Sequence, residues 1–247
     1  MITLPKQKTQ PGVNNPKFAI FYGRPKSGKS TLMASLEMNL IIDLENGYQA
    51  LSALVVQART VADLAEIANA LKAEKEKLGH NPYKYITIDN ATRLEEMCLS
   101  YAKQLYMQTP MGKSYTGNDI RTLPKGSGYF YLRLAVRKVI DMFRDMADYF
   151  ILVCHVKDSM INIAGEEINS KSIDLTGKLG DILCGEADAI GYVYRKKNQT
   201  IVSFNNNDSS IAEARATHLR GKEIVVAESD DEGNLTIDMN KIYLPED

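Results

Sequence analysis

Eight consecutive residues carry the densest chemical information in the chain: Gly23-Arg24-Pro25-Lys26-Ser27-Gly28-Lys29-Ser30, followed by Thr31. They fit the spacing GxxxxGK[ST] and lie between the apolar run FAIFY and the helix-like run TLMASLEM. Glycines let backbone N–H groups converge on phosphate oxygens, and the amino end of the following helix adds a positive dipole. In that setting Lys29 is expected to bridge the β- and γ-phosphates of ATP and Ser30 to offer its hydroxyl to Mg²⁺. As a loop lysine, Lys29 is expected to be exposed. A plain βα turn that holds Gly-Lys-Ser is the alternative.

A phosphate loop needs a carboxylate to complete its metal site. KYITID ends in Asp89 after residues that would lie in a buried strand, the Walker B arrangement; a plain strand-end cap is the alternative. Asn90, next in line, has no carboxylate with which to polarise water, so a base must come from elsewhere. Glu45 in LIIDLENG is the best candidate. Ligands of open α/β sheets lie outside the carboxyl ends of the strands, which would bring Glu45, Asp89 and Lys29 to one crevice. Asp43 competes, because strand alternation puts it on the same side as Glu45. A solvated turn before Gly47 is the other alternative for Glu45. His155 ends the run ILVC, where an imidazole could bond a phosphate oxygen or the attacking water, or simply cap a strand from the core.

Those residues need a frame of alternating strands and helices. FAIFY, NLIID, KYITID, YFILVC, ADAIGYVYR and TIVSF read as strands. VADLAEIANALKAEKEKL reads as a helix with Val61, Leu64, Ala68, Leu71 and Leu78 on its inner face. Thr92 and Glu95 have capping-box spacing for a helix with Leu94, Met97, Cys98, Tyr101 and Leu105 inward. Residues 129–148 form another, with Leu132, Val136, Val139, Phe143 and Met146 inward. The pattern is that of βαβ units: an α/β fold with a mostly parallel central sheet flanked by helices, and a C-terminal β-hairpin around ESDDEGN. Two stretches lack periodicity, 107–128 and 157–181, and are expected to be long loops. Residues 1–16 read as an extended N-terminal arm, disordered or used in oligomerisation, before one domain over 17–247.

The succession of phosphate loop, IIDLEN, YITIDN and FILVCHVKD resembles the RecA-like P-loop ATPase core over roughly residues 17–205. The closer resemblance is to phage-encoded members linked to single-strand annealing and recombination. It implies that Glu45 activates water. It also implies that His155, where cellular recombinases have glutamine, senses the γ-phosphate and signals to a DNA-binding loop. The two aperiodic stretches then fall where such proteins contact single-stranded DNA. The first offers Lys113, Tyr115, Arg121 and Lys125, a basic and aromatic mixture suited to phosphates and stacked bases; loops without any ligand are the alternative. In such assemblies a neighbouring copy supplies basic residues, which here falls on Arg195, Lys196 and Lys197. A polar turn between YVY and TIVSF is the alternative for those three.

Composition sets the outer bounds. The chain has 247 residues, 44% hydrophobic and 25% charged, with 30 basic against 31 acidic side chains and a formal charge of −1. It belongs with globular proteins, and any nucleic-acid contact must come from local patches. Cys98, Cys154 and Cys184 are few and far apart, which suits reduced core thiols and a cytoplasmic setting. No run approaches the length of a membrane span. The expected function is a Mg²⁺-dependent ATPase acting with single-stranded DNA as a homo-oligomer, with a single-strand-binding protein as a candidate partner. A P-loop small-molecule kinase and an ATP-switched binding module are the alternatives.

Overall fold

The computed structural model describes residues 15–163, 166–206 and 210–245. Of the arm expected over 1–16, residues 1–14 lie outside the described residues; Asn15 is bonded through its side-chain amide to both the N–H and the carbonyl of Leu244. The elements in chain order begin β1 (Phe18–Gly23), α1 (Lys29–Ala34), β2 (Asn39–Asp43), β3 (Leu54–Gln57), α2 (Val61–Leu78), β4 (Tyr83–Asp89) and α3 (Ala91–Met107). They continue α4 (Ser127–Arg144), β5 (Ala147–Ile163), β6 (Glu166–Ile173), α5 (Leu179–Glu186), β7 (Ala189–Lys196) and β8 (Gln199–Ser203). Short strands β9 (Glu213–Ala214), β10 (Glu223–Ser229) and β11 (Leu235–Ile237) close the described chain.

The central strands run parallel in the order β7-β1-β5-β4-β2-β3, and β8, β10 and β11 extend the sheet antiparallel beyond β7. β1 is buried along its whole length because both its faces are covered. Phe18, Ile20 and Tyr22 pack with α2, α3 and α4, while Ala19 and Phe21 pack with Leu32 and Met33 of α1 and with Val202 and Phe204. The α1 helix is shorter than TLMASLEM suggests. In α2, Thr60 and Asp63 form a reciprocal capping box and Gly79 ends the helix with φ 78°. Leu64, Ala68 and Leu71 face inward as expected, but Leu78 at the last turn is exposed.

The two stretches expected to be loops turn out differently. α3 leaves the carboxyl end of β4, and α4 must reach the amino end of β5; β4 and β5 are parallel, so the two helices run side by side in one direction. Residues 108–126 therefore climb back along α3, about 25 Å for 17 residues. Topology alone demands their length. They are pinned by short 3-10 turns at Ile120–Thr122 and Pro124–Gly126, and α4 begins at Ser127 and ends at Arg144 rather than spanning 129–148.

Residues 157–181 are not an aperiodic loop. β5 runs straight on past the sheet to Ile163 and pairs antiparallel with β6, in register from Val156 with Ile173 to Ile163 with Glu166. The result is a two-stranded arm beyond the carboxyl edge, followed by α5. The expected capping box at Thr92 and Glu95 does not form either. Asn90 caps α3 by accepting from the Arg93 N–H, and Thr92 and Glu95 reach across to the returning end of the arm instead.

Candidate active site at the carboxyl edge of the sheet

The residues between β1 and α1 form a tight loop. Gly28 adopts φ 101°, and a Cβ there would meet the Thr200 side chain at 3.3 Å. Gly23 is required by proximity: an added Cβ would lie 2.3 Å from the Val193 carbonyl oxygen of β7. Lys26 also adopts a left-handed backbone, φ 64°, and the Ser27 N–H donates to the Arg24 carbonyl at 3.2 Å, closing the turn. Lys29 Nζ spans the loop, donating to the carbonyls of Gly23 at 2.8 Å and Arg24 at 2.9 Å. Against expectation the lysine is only 7% exposed, and burial pulls its pKa below the ordinary value against the opposing field of Asp89. Ser27 Oγ is buried with no hydrogen-bond partner among the described residues. An unmet hydroxyl donor in the same loop as a buried ammonium fits a phosphate.

One side of this loop carries the metal-type ligands. Asp43 of β2 sits in register with Asp89 of β4, and β5 intervenes between β4 and β1. Asp89 Oδ2 accepts from Ser30 Oγ at 3.0 Å and from the Tyr48 hydroxyl at 2.6 Å. Burial raises the Asp89 pKa, and the two hydrogen bonds and Lys29 act in the opposite direction. A buried carboxylate whose charged form is disfavoured, next to a hydroxyl, is an oxygen pair suited to a hard cation such as Mg²⁺. Tyr48 was not foreseen. It lies 41 residues from Asp89 in sequence, and no local spacing points to it.

The other side is open. Glu45 follows β2 in a turn set by Asp43, whose Oδ1 accepts from the Glu45 N–H at 3.0 Å and the Asn46 N–H at 2.8 Å. Asp43 Oδ1 is thus engaged by the turn, whereas Glu45 has 47% of its side chain exposed. Its Oε2 lies 3.6 Å from His155 Nε2. His155 is carried on β5 opposite Gly23 of β1. Asn90 Oδ1 is committed to the Arg93 N–H, so its amide nitrogen faces His155 Nε2 at 3.0 Å and must donate to it. His155 Nδ1 is buried and without a partner among the described residues. Nε2 of His155 thus faces both the Asn90 amide and the Glu45 carboxylate.

The AAA domain family model matches residues 15–216, from the residues before β1 through β9. The chain belongs to this AAA domain family. Among curated proteins nothing matches it. Membership makes the chain a P-loop domain of the ATPase type, a type that binds nucleotide, typically with Mg²⁺. No helix among the described residues of this AAA domain is long and apolar enough to cross a membrane.

The remaining expected residues are scattered. Arg195 was expected to act on a neighbouring copy; it lines the phosphate loop of its own chain, with its Nε 3.9 Å from where a Cβ on Gly28 would stand. Lys196 and Lys197 are exposed, and Lys197 makes the β7–β8 turn at φ 56°. Of the four residues expected to meet DNA, Tyr115 packs edge-on against Tyr106 and donates its hydroxyl to the Asp119 carbonyl at 2.7 Å. Arg121 is clamped by the Asp119 carboxylate at 2.7 and 3.0 Å. Only Lys113 and Lys125 are exposed without such ties on the same segment. Arg24 reaches from the loop to Asp158 on the arm at 3.3 Å. Cys98 and Cys154 are buried thiols, as expected, and Cys184 is half-buried.

Proposed function

We propose that this AAA domain is a Mg²⁺-dependent ATPase that works on single-stranded DNA as a homo-oligomer. The setting is recombination or replication of the phage type, in the host cytoplasm, with a single-strand-binding protein among its candidate partners. The observation that carries the reading is the continuity of β5. The strand that holds His155 beside Gly23 runs on without a break into the arm it builds with β6. A shift of His155 when Glu45 turns toward a γ-phosphate therefore has a stiff path to a projecting structure.

Each residue then has a chemical task. Loop N–H groups, Ser27 and Lys29 bind the phosphates. Ser30 and Asp89 would hold Mg²⁺, which supplies positive charge to the phosphate oxygens during transfer. Tyr48 keeps Asp89 aimed, and Glu45 orients the attacking water and takes its proton. With Tyr115 and Arg121 engaged locally, contact with the strand falls to Lys113, Lys125 and the arm. A small-molecule kinase would need arginines in a lid over the phosphates, and residues 157–181 contain none.

The test is steady-state phosphate release with and without a single strand of about 12 nucleotides, using Lys29→Ala as the blank. Release above the blank that rises with the strand is the expected result. Release indifferent to DNA removes the DNA half of the reading. No release above the blank removes hydrolysis and leaves the ATP-switched binding module.

A further inference from the structure

Arg195 is held at the phosphate loop by its own chain. Val193 and Arg195 are two residues apart on β7 and so share one face of the strand, and on that face Val193 is buried with Leu32 and Met33 of α1. Arg195 carries the same face past the core to the loop. The β7–β8 hairpin fixes it there: Arg195 pairs with Thr200, Lys196 pairs with Gln199, and Lys197 turns the chain at φ 56°. Both members of the Arg195–Thr200 pair meet the loop, since a Cβ on Gly28 would lie 3.3 Å from the Thr200 side chain and 3.9 Å from Arg195 Nε. A pocket of about 220 Å³ results, in which Arg195 stands with Lys26, Gly28, Lys29, Ser30 and Thr31. Arg24 is drawn off to Asp158, whereas the Arg195 guanidinium has neither a hydrogen bond nor an ion pair among the described residues.

The flank from which Arg195 approaches decides which part of a nucleotide it can meet. β7 lies on one side of β1; β5 with His155, β4 with Asp89 and β2 with Glu45 just beyond it lie on the other. The metal-type ligands and the candidate base thus gather on the flank where a terminal phosphate would react. A cation on the opposite flank falls to the phosphates nearer the sugar, which the backbone of such a loop also cradles. We propose that Arg195 binds the α- and β-phosphates of the nucleotide held by its own chain, in place of acting on a neighbouring copy. This rests on the reading of the loop as a nucleotide site and does not require hydrolysis. Diphosphate and triphosphate present the same two groups to Arg195, so it strengthens the binding of both and does not discriminate the reacting phosphate.

The experiment is isothermal titration calorimetry of the full chain with Mg²⁺-ADP, Mg²⁺-ATP and Mg²⁺-pyrophosphate. Arg195→Ala should weaken all three by about 10- to 150-fold, the range for losing a hydrogen bond to a charged group. Should that variant not fold, Arg195→Gln, which keeps the stem and drops the charge, carries the same expectation. A loss confined to ATP would put Arg195 at the γ-phosphate, and a loss for both nucleotides but not for pyrophosphate would put it against the base or sugar. Either result overturns the proposal, as does unchanged affinity throughout. Excess Lys29→Ala, which carries Arg195 on a disabled loop, is then added to Arg195→Ala and ADP binding is measured again. Affinity should stay low; its recovery would show that a neighbouring copy supplies the arginine and would overturn the proposal. A parent that gives the expected pattern without hydrolysing ATP keeps the proposal and removes the ATPase reading, and a parent that binds none of the three overturns both.

Discussion

Two carboxylates face the same crevice from neighbouring strands and could hardly be held more differently. Asp89 is 8% exposed and one of its oxygens accepts two hydroxyl donors, whereas Glu45 is half-exposed, with His155 3.6 Å from its carboxylate. The difference separates two jobs that a phosphate-transferring site needs. A metal ligand gains from being fixed before the metal arrives, because rearrangement would cost binding energy. A general base must meet a water that is placed only when substrate is bound, so looseness in the free protein is no defect. Burial that disfavours the Asp89 charge would be offset by a bound cation, while Glu45 lies open to solvent.

The largest expected effect is at the open pole. Glu45→Gln should lower turnover by about 10² to 10⁴, the usual range for losing a positioned base, and leave nucleotide affinity where it was. Stopped assays of phosphate release and titration of a fluorescent ATP analogue read the two quantities separately. Equal loss in both would merge the two poles into one.

At the closed pole, Tyr48→Phe removes one hydroxyl and little volume. The Mg²⁺ concentration for half-maximal activity should rise about 10- to 100-fold, as for other partners behind a metal ligand, with the maximal rate kept. A variant with an unchanged Mg²⁺ requirement would show that Tyr48 only fills space.

Asp43 tests the link between the poles. Asp43→Ala should destabilise the fold by about 1 to 2 kcal/mol, because two turn N–H groups lose their acceptor, and it should reduce turnover by misplacing Glu45. Asp43→Asn keeps an acceptor oxygen and should behave close to the parent in thermal unfolding. If Asp43→Asn loses turnover while Glu45→Gln does not, Asp43 is the base.

The smallest effect lies one helical turn further in. Glu95 accepts from the Thr176 N–H and hydroxyl, yet burial raises its pKa above the ordinary carboxylate value. Its contribution to stability is therefore complete below the unfolded-state pKa and is lost as pH rises through the folded one. Melting temperatures of the parent and Glu95→Gln between about pH 4 and 8 should diverge upward in favour of the variant. A gap independent of pH would mean that the carboxyl is solvated in solution.

The closed pole and the phosphate loop were legible in the sequence wherever their information is local. GRPKSGKS declares itself through spacing, and YITID through apolar residues ending in an acid. Tyr48 was hidden because its partner lies 41 residues away and only the parallel register of β2 and β4 brings them together. The arm escaped because KDSMINI and EEINSKSI mix polar and apolar residues with no sustained period of two. β3 escaped for a related reason: LVVQ is short and mostly exposed at the sheet edge. The 107–128 stretch was misjudged because a long connection suggests a ligand, whereas the parallel course of α3 and α4 requires one of that length. The cap of α3 went to Asn90 rather than Thr92 because Thr92 and Glu95 found partners on the returning arm, a choice that no helix signal encodes.

The division between a fixed metal pole and a loose catalytic pole is tested most directly by one Mg²⁺ titration of single-turnover ATP hydrolysis, run on the parent, Tyr48→Phe and Glu45→Gln together. The expected curves separate along different axes: Tyr48→Phe shifts to higher Mg²⁺ at an unchanged plateau, and Glu45→Gln keeps the parental midpoint with its plateau lowered by about 10² or more. Curves in which both variants move the same quantity, or in which Glu45→Gln reaches the parental plateau, would contradict it.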